Sequence, residues 1–285
     1  MSKKVAVVLG SNRGIGYALA ECLASHWDDA GTVYVTARNE SEARIAAEEL
    51  SSKTGCDVKH LTFDLALPND PVRISRILQQ KHGGIDIVVQ NGAYLPRSGQ
   101  PAAADARPMI EANSHGTLRV LEAFTSALRE SGQLVIVASA LGVLENLSQT
   151  LRDQFNTKVH IPKEINDAID RYVEAVESGA SVKEGWPDWV NIPSKVAQVA
   201  VTRSYARWAK TNNLLAPHVR INAACPGVTL TDATREFIGT VFTKEEAQSP
   251  MEAAMGLMKL LSTPADVEEP YGELVQHGLV VKFGD

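Results

Sequence analysis

The stretch Leu9-Gly10-Ser11-Asn12-Arg13-Gly14-Ile15-Gly16 spaces three glycines as G-x-x-x-G-x-G. Glycines let a backbone turn tightly and approach a ligand with no Cβ in the way. Set between a strand and a helix, such a loop faces the helix's free N–H groups and the positive end of its dipole, which suits a pyrophosphate. Gly10, Asn12, Arg13, Gly14, Ile15 and Gly16 are the residues placed to meet it. Glycine spacing alone is common in strand-to-helix turns; the strand–turn–helix setting is what predicts a dinucleotide site. Charge then selects the dinucleotide. A site for a free ribose diol carries an acid near the end of the second strand, about 20 residues on, and that acid would repel a phosphate. Here Ala37 and Arg38 fill that stretch and Arg13 lies in the loop, two cations and no acid, so the expected cofactor is NADP(H).

The elements needed to hold this loop are legible in the pattern. Short β-branched runs at residues 4–9, 32–36, 58–63, 85–89, 133–137 and 219–223 alternate with helix-length segments at 17–27, 40–50, 72–81 and 104–128. That rhythm predicts βαβ units: one Rossmann-type, doubly wound α/β fold, its parallel sheet covered by helices on both faces. A last apolar run, 274–281, is expected to add an edge strand. With no Pro- or Gly-rich linker and no internal repeat, residues 1–285 read as one domain. One segment departs from the rhythm. Ser139 and Lys195 are 56 positions apart, far beyond an ordinary connection, which marks residues 143–187 as an insertion. It is partly helical, with Ile165, Ile169, Tyr172, Val173 and Val176 on one stripe after Pro162 and Gly179 as a stop. Two readings stand equally: a wall of a ligand pocket at the carboxyl ends of the strands, or a solvated lid or cover over a dimer face.

Further landmarks follow the glycine loop in order: Asp64-Leu65, Gln90-Asn91-Gly92-Ala93, Asn113 in Asn-Ser-His-Gly, Ser139 in Val-Ala-Ser-Ala-Leu-Gly, Lys195, then Cys225-Pro226-Gly227 with Thr231-Asp232. The ordered set spans nearly the whole chain and resembles the short-chain dehydrogenase/reductase family. Thr36-Ala37-Arg38, the insertion ending Glu184-Gly185-Trp186-Pro187, and Ser249-Pro250 look like its monomeric carbonyl reductase branch. The resemblance implies that Asp64, beside Leu65, bonds the adenine amine and that Asn91 lies near the adenosine ribose. It places Lys195 on the nicotinamide ribose, and Val228 and Thr231 at the carboxamide and phosphate end. Leu9 replaces the family's usual loop threonine, and Gln90-Asn91-Gly92-Ala93 its Asn-Asn-Ala-Gly; both changes fall in turns.

The family's active site uses Ser, Tyr and Lys assisted by Asn, and Ser139, Lys195 and Asn113 match. Four residues before the lysine, where the tyrosine belongs, stands Asn191, and alignment on Glu184-Gly185-Trp186-Pro187 reaches the same position. An amide donates hydrogen bonds but releases no proton near neutral pH. Losing a general acid slows ketone reduction by about 10²–10⁴-fold while leaving hydride positioning intact. Three consequences remain open. Another acid substitutes, with Tyr94 preferred over Tyr172, Asp188 and His115. Alternatively the substrate is an imine, an iminium or an enone that needs no acid of tyrosine's strength. Or the chemistry is not redox, the scaffold serving as a cyclase, isomerase or dehydratase, with a non-catalytic NADPH-binding protein as the extreme. The preferred expectation is an NADPH-dependent reductase of an organic carbonyl or imine-like carbon.

The totals narrow the partners. With 28 Lys+Arg against 34 Asp+Glu the net charge is −6 and no basic run occurs, so nucleic acid and anionic membrane are not expected. The apolar opening is interrupted by Gly10 and Ser11-Asn12-Arg13 too early for a signal peptide, and nothing approaches a membrane span. Three scattered cysteines suggest neither disulfides nor a metal centre. The expectation is a cytoplasmic protein that takes a small-molecule substrate. The resemblance to the carbonyl reductase branch, in which the insertion before Lys195 covers the surface through which many relatives pair, implies a monomer.

Overall fold

The computed structural model describes residues 3–97, 102–264 and 267–285. Eight strands form one sheet in the order β3-β2-β1-β4-β5-β6-β7-β8. They are β1 (Lys4–Leu9), β2 (Gly31–Ala37), β3 (Asp57–Thr62), β4 (Ile85–Gln90), β5 (Leu128–Val137), β6 (Arg220–Cys225), β7 (Leu274–Gln276) and β8 (Leu279–Val281). All neighbours pair in parallel except β7 and β8. The strand order reverses between β1 and β4, and open α/β sheets bind ligands at such a switch point.

Strand period decides which residues face which layer. In β1, Val5, Val7 and Leu9 pack with α3 (Asp70–His82), α5 (Gly116–Thr125) and α8 (Asn191–Thr211). Ala6 and Val8 face the opposite layer of α1 (Gly14–Trp27), α2 (Glu40–Thr54) and α9 (Pro250–Leu261). β1 is therefore buried on both faces, as a central parallel strand must be. The six predicted strands and the two-faced covering are all present.

Two elements differ from expectation. The segment read as helix 104–128 is α4 (Ala102–Ile110), a π-helical turn (Glu111–His115) and α5, ending at Thr125 because β5 begins at Leu128. Periodicity cannot signal the π turn, since one extra residue per turn leaves the apolar spacing on either side intact; such turns often mark functional sites. The run 274–281 is not one edge strand but an antiparallel hairpin. His277 and Gly278 take left-handed φ values of 53° and 85° and reverse the chain.

The segment between β5 and α8 folds as α6 (Gln149–Arg152) and α7 (Pro162–Glu177), with Gly179 at φ 73° after the end of α7. The whole predicted stripe of α7 is buried. It joins the core cluster shared with α4 and α8, and Tyr172 packs on Trp186 with ring centroids 5.0 Å apart. Ser114 donates to Asn166 (2.7 Å) and His115 meets Asp170 (2.8 Å), so α7 is also tied to the π turn that carries Asn113. No described helix is long and apolar enough to cross a membrane.

Candidate active site

The carboxyl ends of β1, β2 and β4 are sewn together around the glycine loop. Gly10 N–H donates to Thr36 Oγ1 (2.9 Å), Ser11 N–H to the Thr36 carbonyl (2.8 Å), and the Asn91 and Gly92 amides both reach the Leu9 carbonyl (3.0 and 2.8 Å). Asn91 Nδ2 donates to the Gly10 carbonyl at 2.7 Å, so its side chain pins the loop. The glycines are there because nothing else fits. A Cβ on Gly16 would lie 2.3 Å from the Gly10 oxygen and 2.6 Å from Asn91 Nδ2, and one on Gly10 (φ 79°) would lie 2.7 Å from Gly92 Cα. Thr231, from the segment after β6, covers Gly14, its methyl 3.5 Å from where a Cβ would stand. The two ends of the proposed dinucleotide groove thus meet across the sheet.

The start of α1 fits an anionic ligand. Arg13 is its N-cap, no side chain caps the free N–H groups, and the first turn has no acid. By contrast α2 is capped by Asn39 and α9 by a reciprocal Ser249–Glu252 pair. A cation at a helix's positive end is unfavourable unless an anion joins it. Arg13 and Arg38 are exposed at adjoining strand ends, and among the described residues neither has a carboxylate partner. The expectation of no acid is corrected in one respect: Glu42, in the first turn of α2, accepts from Asn12 Nδ2 at 2.8 Å. In sequence it is 30 residues away; packing of α2 beside α1 brings it to the loop.

Asp64 accepts from its own turn, from Ala66 N–H (3.0 Å), and Leu65 packs on Gly116 at the start of α5. Ile15 and Val228 are half-buried at the two turns.

Ser139, two residues past the end of β5, is half-buried; its Oγ accepts from Leu141 N–H (3.2 Å), which leaves its own proton free to donate. Gly142 lets this segment touch α8: a Cβ there would lie 2.6 Å from the Lys195 carbonyl. Lys195 is 5 % exposed, and its ammonium donates to Gln198 Oε1 at 2.8 Å. Burial pulls its pKa down to about 8, against a smaller opposing effect from Cys225. The Cys225 thiol is raised by the same burial.

Behind Lys195 runs a buried polar network. Gln198 Nε2 and Gln90 Nε2 donate to Thr117 Oγ1 (3.4 and 2.8 Å), and Thr117 donates to the Asn113 carbonyl (2.8 Å). Sequence reading named neither Gln198 nor Thr117; the i,i+3 spacing of Gln198 from Lys195 was the available signal. Asn113 is spent internally: its amide exchanges bonds with the Tyr94 backbone (both 2.8 Å) and donates to Ser194 Oγ (2.9 Å).

Asn191, the first residue of α8, is 7 % exposed, and its Oδ1 is buried with no partner among the described residues. Such an oxygen costs about 1–3 kcal/mol. Tyr94 is close in the fold through Asn113, but its hydroxyl donates to Asp105 Oδ1 (2.8 Å), and burial followed by Asp105 raises its pKa. Tyr172 is raised further by burial alone, inside the α7 core; His115 faces Asp170, and Asp188 is exposed. A cleft of about 650 Å³ opens beside this assembly, lined by Leu95, Pro96, Arg97, Asp232, Ala233 and Arg235. Trp189 packs on Phe237 and Phe242 (5.9 and 6.4 Å), joining the approach to α8 with the loop after β6. A smaller cleft of about 270 Å³ lies on the far half of α8, between Arg203, Arg207, Lys210 and Tyr271.

The chain is 29 % identical over 281 residues to carbonyl reductase (NADPH) 3 of Rattus norvegicus, covering 97 % of each chain. It is 28 % identical to carbonyl reductase (NADPH) 1 of Bos taurus, covering 99 % of each. Among solved structures, salutaridine reductase from Papaver somniferum superposes with a TM-score of 0.80 at 19 % identity, over 95 % of this chain and 99 % of that one. Menthone neomenthol reductase from Mentha piperita gives 0.75 at 23 %, over 96 % and 98 %. These two share the fold. Residues 4–151, more than half of the chain and the part that holds the glycine loop, Asn113 and Ser139, match the family model for short chain dehydrogenase, and the chain belongs to that family.

Proposed function

We propose that the protein is an NADPH-dependent reductase of an organic carbonyl or imine-like carbon, with an atypical site in which Asn191 takes the place of the family's proton-donating tyrosine. The observation that carries the cofactor reading is the uncapped, acid-free start of α1 with Arg13 at its N-cap and Arg38 beside it. The carbonyl reductase relatives are named for NADPH, which supports the same reading. Bound there, the dinucleotide supplies a hydride. Gly10, Asn12, Gly14, Ile15 and Gly16 cradle its phosphates, Asp64, Leu65 and Asn91 border the adenosine, and Lys195, Val228 and Thr231 hold the nicotinamide end.

The remaining roles follow from the local bonds. Ser139, with its hydroxyl proton uncommitted, orients the substrate's acceptor atom. Asn113 joins Tyr94 to Ser194 and so fixes the floor of the site. Asn191 supplies no proton, and Tyr94 is a poor replacement because its hydroxyl is bound to a carboxylate. Among Ser139, Asn113, Asn191, Tyr94 and Lys195, the Lys195 ammonium at about 8 is the acid closest to neutral pH.

A screen of ketones, quinones and cyclic imines with NADPH tests the reading. Loss of reduced-nicotinamide absorbance coupled to a reduced product supports it. Isomeric or cyclised product without that loss replaces it with a non-redox enzyme. Tight NADPH binding with no product from any class leaves a binding protein.

A further inference from the structure

The loop that carries Arg13 also carries an internal anion. Asn12 Nδ2 donates to Glu42 Oε2 at 2.8 Å. Glu42 lies in the first turn of α2, three residues past Asn39, whose side chain accepts the Ser41 and Glu42 amides (2.8 and 3.3 Å) and so sets where that turn begins. Arg38 immediately precedes Asn39, and Ser11, next to Asn12, is bonded to Thr36. Glu42 is thus the carboxylate that reaches the groove between the ends of β1 and β2, where Arg13 and Arg38 have no acid of their own among the described residues.

We infer that Glu42 is a specificity-determining residue: its carboxylate, held by the Asn12 amide in the groove that Arg13 and Arg38 border, disfavours a 2′-phosphate there and weakens the preference for NADPH over NADH. The inference rests on the cofactor reading above. Its physical basis is that a carboxylate and a nearly dianionic phosphate a few ångströms apart repel each other. NADH brings only a hydroxyl pair to that position, which can donate to Glu42, so the carboxylate acts with opposite sign on the two dinucleotides. Arg13 and Arg38 still favour the phosphate; Glu42 sets by how much.

Calorimetric titration of NADPH and NADH into wild type, Glu42→Gln, Glu42→Lys and Glu40→Gln tests this. Glu40 is the control: it is an acid of the same helix turn, without the bond to Asn12. Glu42→Gln should raise the ratio of NADPH to NADH affinity by about 3- to 10-fold at low salt, and the gain should shrink as salt is added. Glu42→Lys should raise it further, and Glu40→Gln should leave it within about twofold. Because the readout is a ratio, general damage to α2 moves both affinities and cancels. An unchanged ratio in both Glu42 variants, or an equal rise in Glu40→Gln, overturns the inference while leaving NADPH binding intact. Failure of wild type to bind either dinucleotide overturns the cofactor reading, and this one with it.

Discussion

The side chains that decide the chemistry are few, and each has a physical constraint that can be measured. Arg38 has no carboxylate among the described residues, so reversing its charge removes an attraction and adds a repulsion; Arg38→Asp should weaken NADPH binding by at least about 10-fold and spare NADH, as read by titration. The proposed role of Asn191 separates hydride delivery from proton delivery. Asn191→Tyr should raise reduction of simple ketones by up to about 10²-fold, if the phenol reaches the substrate oxygen beside Lys195. Steady-state kinetics that find wild type already as fast as its tyrosine-bearing relatives would refute the argument. Lys195 gives a stability test. Its pKa falls from 10.5 unfolded to about 8 folded, so between those values the unfolded chain binds more protons, and stability rises with pH through that window. Compared with Lys195→Met by urea unfolding without cofactor, wild type should gain about 2 kcal/mol between about pH 7.5 and 9.5, and below about pH 7 the difference should be flat.

At the scale of elements, the site is made by close approaches between turns. Gly16 sits where the turns after β1 and β4 touch, and a methyl group 2.3 Å from the Gly10 oxygen cannot be absorbed by a side-chain rotation. Gly16→Ala should cost about 1–3 kcal/mol in chemical denaturation and abolish dinucleotide binding, because relief requires the loop to separate from Asn91. The π turn at Glu111–His115 works similarly: it bonds Asn113 to Tyr94 and Ser194 while Ser114 and His115 reach α7, so one short irregularity connects the site to the segment between β5 and α8.

For the whole molecule, α7 covers the surface formed by α4 and α8 with a fully buried stripe. Among the described residues the apolar stripe of α7 is spent on this contact, and the expected state is a monomer. Light scattering at micromolar concentration should give the mass of one chain, about 31 kDa. With one sheet running through the chain, thermal and chemical unfolding should follow a single transition for the apo protein. A dimer mass would mean that another face associates.

The parallel sheet, the glycine loop, the order of the landmarks and the asparagine four residues before Lys195 are legible in residue types and spacing. Strand alternation and close-packed glycines are imposed by local sterics and burial, which leave a mark at every second residue or at a single invariant geometry. Tertiary structure alone decided the rest. Glu42 meets Asn12, Gln198 holds Lys195, Tyr94 is committed to Asp105, and Asn191 keeps a buried oxygen without a partner among the described residues. These pairings depend on how helices from distant parts of the chain settle against one another, and a side chain's hydrogen-bond partner is chosen by that packing, not by the residues beside it in sequence. The π turn and the closing hairpin escaped for a related reason: apolar spacing reports which face is buried, and is blind to a one-residue slip in hydrogen bonding or a reversal at His277-Gly278.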